Sequence, residues 1–126
     1  MSKLAQTFRD LEVYVESFRF QQDIFEISKR WPAAERYALT DQIRRSSRSI
    51  GANIAESWAK RRSPAHFLSK LTDADGELQE TSHWIHSAAA CAHLTEAELR
   101  TLDEEASLVG RLLGFMIKKY ESFCAQ

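Results

Sequence analysis

Pro64-Ala65-His66-Phe67-Leu68-Ser69-Lys70-Leu71-Thr72-Asp73-Ala74-Asp75-Gly76-Glu77-Leu78-Gln79-Glu80-Thr81-Ser82-His83-Trp84-Ile85-His86-Ser87-Ala88 decides the fold class. Within it Phe67, Leu71, Ala74, Leu78, Thr81, Ile85 and Ala88, continued by Ala92, step 4,3,4,3,4,3,4 along the chain. Residues three and four apart share one face of an α-helix, so this spacing draws a long, narrow apolar seam. A seam of heptad period belongs to a helix packed at a shallow angle against others. Ser63-Pro64 supplies its start, a capping serine followed by proline at the first helical position.

Working outward, the sequence predicts three more helices, at approximately 10–29, 40–60 and 96–124 around the 64–92 segment. In the first, Leu11, Tyr14, Val15, Phe18, Phe25 and Ile27 form the expected core stripe, and Trp31-Pro32 ends the helix. In the second, Thr40 is the expected N-cap, and Ile43, Ser47, Ile50, Ile54 and Trp58 share a face. Thr95-Glu96-Ala97-Glu98 reads as a capping box that opens the fourth. There Leu99, Leu102, Ala106, Val109, Leu113, Met116, Tyr120 and Phe123 make the stripe. The connections are short, which favours antiparallel neighbours. The expectation is an all-α chain, one domain over residues 1–126, folded as a single antiparallel up-down-up-down four-helix bundle.

Composition agrees with that class. A chain of 126 residues with 44% hydrophobic and 28% charged residues is sized for one core. Four glycines and two prolines are too few for the turns of an all-β domain. No apolar run is long enough to span a membrane, and Met1–Asp10 carries no secretion signal, so a cytoplasmic protein without membrane contact is expected. Cys91 and Cys124 read as reduced packing residues. The net charge of −1 conceals an asymmetry, because Ser28–Arg62 holds nine Lys/Arg against three Asp/Glu. The molecule is therefore polarised.

Motifs for catalysis are missing. Glu80-Thr81-Ser82-His83 matches the Glu-x-x-His element of di-metal bundles, but no second copy accompanies it. His83, His86, Cys91 and His93 cluster late in the third helix, and His83 and His86 could share a helical face, yet two ligands do not close a zinc site. Cys91 has no basic partner at helical spacing, no serine sits in a nucleophile elbow, and no Gly-rich phosphate loop occurs. The expectation is no enzyme, no metal and no cofactor.

The second segment is the most informative for function. Arg44, Arg45 and Arg48 are read as three guanidiniums on one flank, and their planar forks suit phosphate oxygens. The competing reading pairs them with carboxylates on neighbouring helices. Ser46, Ser47, Ser49, Gly51, Ala52 and Ala55 allow close approach of another backbone, within the bundle or in a second subunit. Asn53 and Glu56, three apart at the edge of the stripe, read as structural or interface residues. Val13, Phe20 and Ile24 lie off the stripe of the first helix, and with Trp58 near the end of the second and Trp84 in the third they suggest a second apolar contact surface for self-association.

Trp31-Pro32-x-x-Glu35-x-Tyr37-x-Leu39-x-x-Gln42-x-Arg44-Arg45-x-x-x-Ser49-Ile50-x-x-Asn53-Ile54-Ala55-Glu56, with Phe67 and Ala74-x-Gly76-x-x-x-Glu80, resembles the "four helix bundle protein" family. Its members are encoded in intervening sequences of bacterial large-subunit ribosomal RNA genes, and the accessory proteins of diversity-generating retroelements are similar. Departures fall at Trp31 (usually Phe), Ser57 (usually Gly) and Glu77 (usually Ser). The resemblance implies a non-enzymatic homo-oligomeric ring or barrel, a homopentamer, with RNA or DNA as a contact through Arg44, Arg45 and Arg48. It implies a structural motif at Gln42, Asn53 and Glu56. The alternative is a scaffold that binds a protein partner and no nucleic acid.

Overall fold

The computed structural model describes residues 5–124. Its long helices are α1 (Glu12–Ser28), α2 (Asp41–Ala59), α3 (Pro64–Ala90) and α4 (Glu96–Lys118), followed by the short α5 (Tyr120–Phe123). Among the described residues there is no strand. None of these helices is long and apolar enough to cross a membrane. α2 and α3 share the most extensive packing; α3 also packs on α4, α4 on α1 and α1 on α2, so the four long helices close around one core.

α3 follows its sequence pattern. Phe67, Leu71, Ala74, Leu78, Thr81, Ile85 and Ala88 are all buried. Ala92 lies beyond the helix in the left-handed region, at φ 62°. His93 N–H donates 2.9 Å to the Ala88 carbonyl and Ala92 N–H donates 3.0 Å to that of Ala89. These two bonds form the Schellman closure that satisfies the last carbonyls of a helix. Ala92 occupies the position that glycine usually takes, so the turn carries some strain.

α1 presents a different face to the core from the one its aromatic residues suggest. Val13, Ser17, Phe20, Ile24 and Ser28 are buried, while Val15 and Phe18 are 45% and 46% exposed. The core stripe therefore runs through Val13, Phe20 and Ile24, while of the expected stripe Leu11 is buried and Tyr14 and Ile27 pack partly against the core. Two serines occupy core positions and conceal the period. Ser17 Oγ donates 2.9 Å to the Tyr14 carbonyl, and Ser28 Oγ donates 3.1 Å to that of Phe25. A hydroxyl satisfied by its own helix behaves in the core as a small residue.

α2 uses the same device. Ser46, Ser47 and Ser57 are buried and bond to the carbonyls of Ile43, Arg44 and Ile54. The hydroxyls of Ser46 and Thr81 also meet across α2 and α3 at 2.8 Å. A Cβ on Gly51 would stand 3.4 Å from both Ser17 Oγ and the Tyr14 ring, so the small residues of α2 do bring a neighbour close, in this case α1.

The helix ends add detail. Thr40 makes no side-chain cap; it is helical and closes a π turn, Arg36–Thr40, that feeds directly into α2. Thr95 does form the capping box, accepting from Glu98 N–H while the Glu98 carboxylate accepts from Thr95 N–H. Arg30 reaches that same carboxylate and ties the end of α1 to the start of α4. The fourth segment is broken at Lys119, which separates α4 from α5. Cys124 is buried as expected, but Cys91 is exposed at the end of α3 and is no packing residue.

Candidate functional site

The three arginines of α2 do not share a flank. Buried Ile43, Ser47, Ile50 and Ile54 define the inward direction; at about 100° per residue Arg44 falls to one side of it, Arg48 further round and Arg45 almost opposite the core, and it is their contacts with different helices that part them. Arg44 and Arg48 lean towards α1. Arg44 is half-buried; its Nε donates 2.9 Å to Ser28 Oγ, and Nη2 donates 3.4 Å to the Phe25 carbonyl. Its guanidinium carbon lies 4.7 Å from the centre of the Phe25 ring. Arg48 is exposed and approaches the same ring at 5.5 Å, and Lys29 approaches it at 4.9 Å. Three cations thus surround one half-buried phenyl ring. Its negative face offsets their mutual repulsion, as cation–π attraction does.

Arg45 turns towards α3. It is paired with Glu80 and lies 3.3 Å from Glu77. Trp84 Nε1–H donates 3.1 Å to Glu80, and with the Arg45 guanidinium it holds that carboxyl below its ordinary range. The Glu80 hydrogen bond in turn raises the Arg45 pKa. The competing reading, an inter-helix ion pair, therefore describes Arg45, while neither Arg44 nor Arg48 has a carboxylate partner among the described ion pairs. Arg45 still leaves 51% of its side chain open to solvent.

The remaining motif residues are dispersed. Gln42 is half-buried on α2. Asn53 donates 2.9 Å to the Ser49 carbonyl and 3.2 Å to its hydroxyl, so it braces its own helix. Glu56 accepts 2.9 Å from Lys70 of α3, and this ammonium lowers its pKa. Trp58 and Trp84 are half-buried against the core, and Trp31 is buried.

The histidines separate as well. His83 stands edge-on to Trp84, His86 lies 3.0 Å from Asp103 of α4, and His93 lies 2.8 Å from Glu35 in the connection between α1 and α2. Glu35 joins Cys91 and His93 although 56 positions separate it from Cys91; no local spacing could reveal that meeting.

With this geometry in hand, a comparison with family models matches residues 9–114 to the family described as 23S rRNA-intervening sequence protein. The chain belongs to that family. The matched span runs from the turn before α1 to residue 114 and so takes in α1, α2, α3 and most of α4. Among solved structures it is similar to a protein of unknown function from the S23 ribosomal protein family of Bacteroides thetaiotaomicron, at 28% identity and a TM-score of 0.75. That match covers 84% of this chain and 95% of the other. No curated protein matches.

Proposed function

We propose that this member of the intervening-sequence protein family is a cytoplasmic, non-enzymatic helical protein that self-associates and binds nucleic-acid phosphates through the α1–α2 edge. The observation that carries the reading is the convergence of Lys29, Arg44 and Arg48 on Phe25. Arg44 is oriented by Ser28 and Phe25, and an oriented guanidinium loses less freedom when it meets a phosphate. Arg45, engaged with Glu77 and Glu80, serves the α2–α3 packing instead. The family's description, which names 23S rRNA, supports RNA as the first ligand to try.

In this reading α1 to α4 alternate up and down, because the α2–α3 and α3–α4 connections span only 60–63 and 91–95. Self-association, expected as a pentameric ring, is supported by exposed apolar side chains: Val15 and Phe18 on α1 and Phe115 on α4. The alternative, a scaffold for a protein partner alone, is favoured by the same apolar residues and by the clasped Arg45.

The experiment is fluorescence anisotropy with labelled structured RNA and duplex DNA over a range of salt concentrations, with molar mass measured by light scattering on the same samples. Phosphate binding predicts an affinity that falls steeply as salt rises. Absence of binding to either nucleic acid at low salt overturns the reading in favour of the scaffold.

A further inference from the structure

Glu35, Cys91 and His93 bring one carboxylate oxygen, one thiol sulfur and one imidazole nitrogen within 4.8 Å of one another. We propose that these three side chains hold a divalent cation of the zinc type, clamping the α1–α2 connection to the end of α3. The donor set is right for that ion. Thiolate, imidazole and carboxylate are its usual ligands, and three of them leave the fourth tetrahedral position for water.

The local backbone presents the ligands together. Cys91 caps α3, and the left-handed Ala92 reverses the chain so that His93 folds back beside it. The Schellman bonds from Ala92 and His93 fix that reversal. Glu35 arrives on a short 3-10 turn, Ala33–Glu35, and already lies 2.8 Å from His93 Nε2. His93 is the least accessible of the trio, with the indole of Trp31 beside it at 6.2 Å between ring centres. The C-terminal end of the 27-residue α3 adds partial negative charge at the same place, which favours a cation.

Binding needs small rearrangements only. Cys91 enters as thiolate and its proton passes to solvent, as metal capture by thiols requires. The Glu35–His93 hydrogen bond is replaced by bonds from both groups to the metal. The exposed Cys91 gives access from solvent. His83 and His86, which the sequence places on the same helix, are engaged with Trp84 and Asp103 and contribute nothing.

The test uses the untagged, reduced full chain and cobalt(II) as the spectroscopic probe, followed by zinc titration calorimetry. One equivalent of cobalt is expected to give tetrahedral visible bands and a thiolate-to-cobalt charge-transfer band. Cys91→Ser removes the charge-transfer band, whereas Cys124→Ser leaves it unchanged. Loss of an outer-shell partner alone weakens metal binding about 10- to 100-fold, so Cys91→Ser or His93→Gln weakens zinc binding at least about tenfold. Because Cys91 is exposed, the metal-free melting curve of Cys91→Ser matches that of the parent, which separates lost ligation from misfolding. No charge-transfer band in the parent protein, or a band that survives Cys91→Ser, overturns the proposal.

Discussion

Glu105 of α4 offers a sharp test of the packing between α1 and α4. Both of its carboxylate oxygens are buried without a hydrogen-bond partner in normal range. Burial, together with the neighbouring Asp23 of α1, pushes its pKa up to about 8 from an ordinary value of 4.5. Glu16 adds to the rise and Arg19 opposes it. Below pH 4.5 the folded and unfolded chains both hold this proton. Between 4.5 and 8 the unfolded chain releases it and the folded chain keeps it, so stability falls as pH rises and levels off above 8.

The span of about 3.5 pH units corresponds to about 5 kcal/mol for a wholly buried group, at about 1.4 kcal/mol per unit. Glu105 is only half-buried, and solvent screening reduces this to about 2 kcal/mol. Glu105→Gln removes the titration. In urea unfolding followed by circular dichroism, the variant and the parent are expected to be nearly equal at pH 5. By pH 9 the variant is more stable by about 2 kcal/mol. The carboxyls of Glu56, Glu80 and Glu98, all lowered by their partners, are ionised throughout this window and cancel in the comparison. An offset between the two proteins that is the same at pH 5 and pH 9 refutes the reasoning.

Four further substitutions probe the fold. Phe20→Ala should cost about 3–5 kcal/mol in chemical unfolding because the ring is fully buried, whereas Phe18→Ala, half exposed, should cost less than about 1 kcal/mol; the reverse order would restore the aromatic stripe first read from the sequence. Gly76→Ala should raise stability by up to about 1 kcal/mol in a thermal melt, since nothing lies within 4 Å of the added Cβ, and a loss would place another subunit against α3. Ala92→Gly should stabilise by about 1 kcal/mol, seen as a rise in Tm, because it relieves the left-handed alanine.

The legible parts of this molecule are those in which one residue type repeats at one spacing. The seam of α3 could be read residue by residue from Phe67 to Ala88, and the Thr95–Glu98 capping box marked the start of α4. α1 misled because Ser17 and Ser28 take core positions, while Val15 and Phe18 face solvent. Polarity scales cannot register a serine satisfied by its own helix.

The candidate site was half legible. Arg44 and Arg48 could be found from charge alone, but their organiser, Phe25, lies on another helix and looked like core. Arg45 is three positions from Arg48 and shares a helical face with it by spacing, so the sequence could not set it apart. Its partner Glu80 and the neighbouring Glu77 are on α3, and only packing brings them to it. Contacts between distant parts of the chain, such as Glu35 with His93 or Asp23 with Glu105, leave no periodic trace.

The most direct measurement is the slope of RNA affinity against salt for the parent, Arg44→Ala/Arg48→Ala and Arg45→Ala. Two lost phosphate contacts predict a slope shallower by about 2 in the double variant. Arg45→Ala should keep the parent slope while weakening the α2–α3 packing. Equal slopes in parent and double variant, or a change confined to Arg45→Ala, would contradict the account.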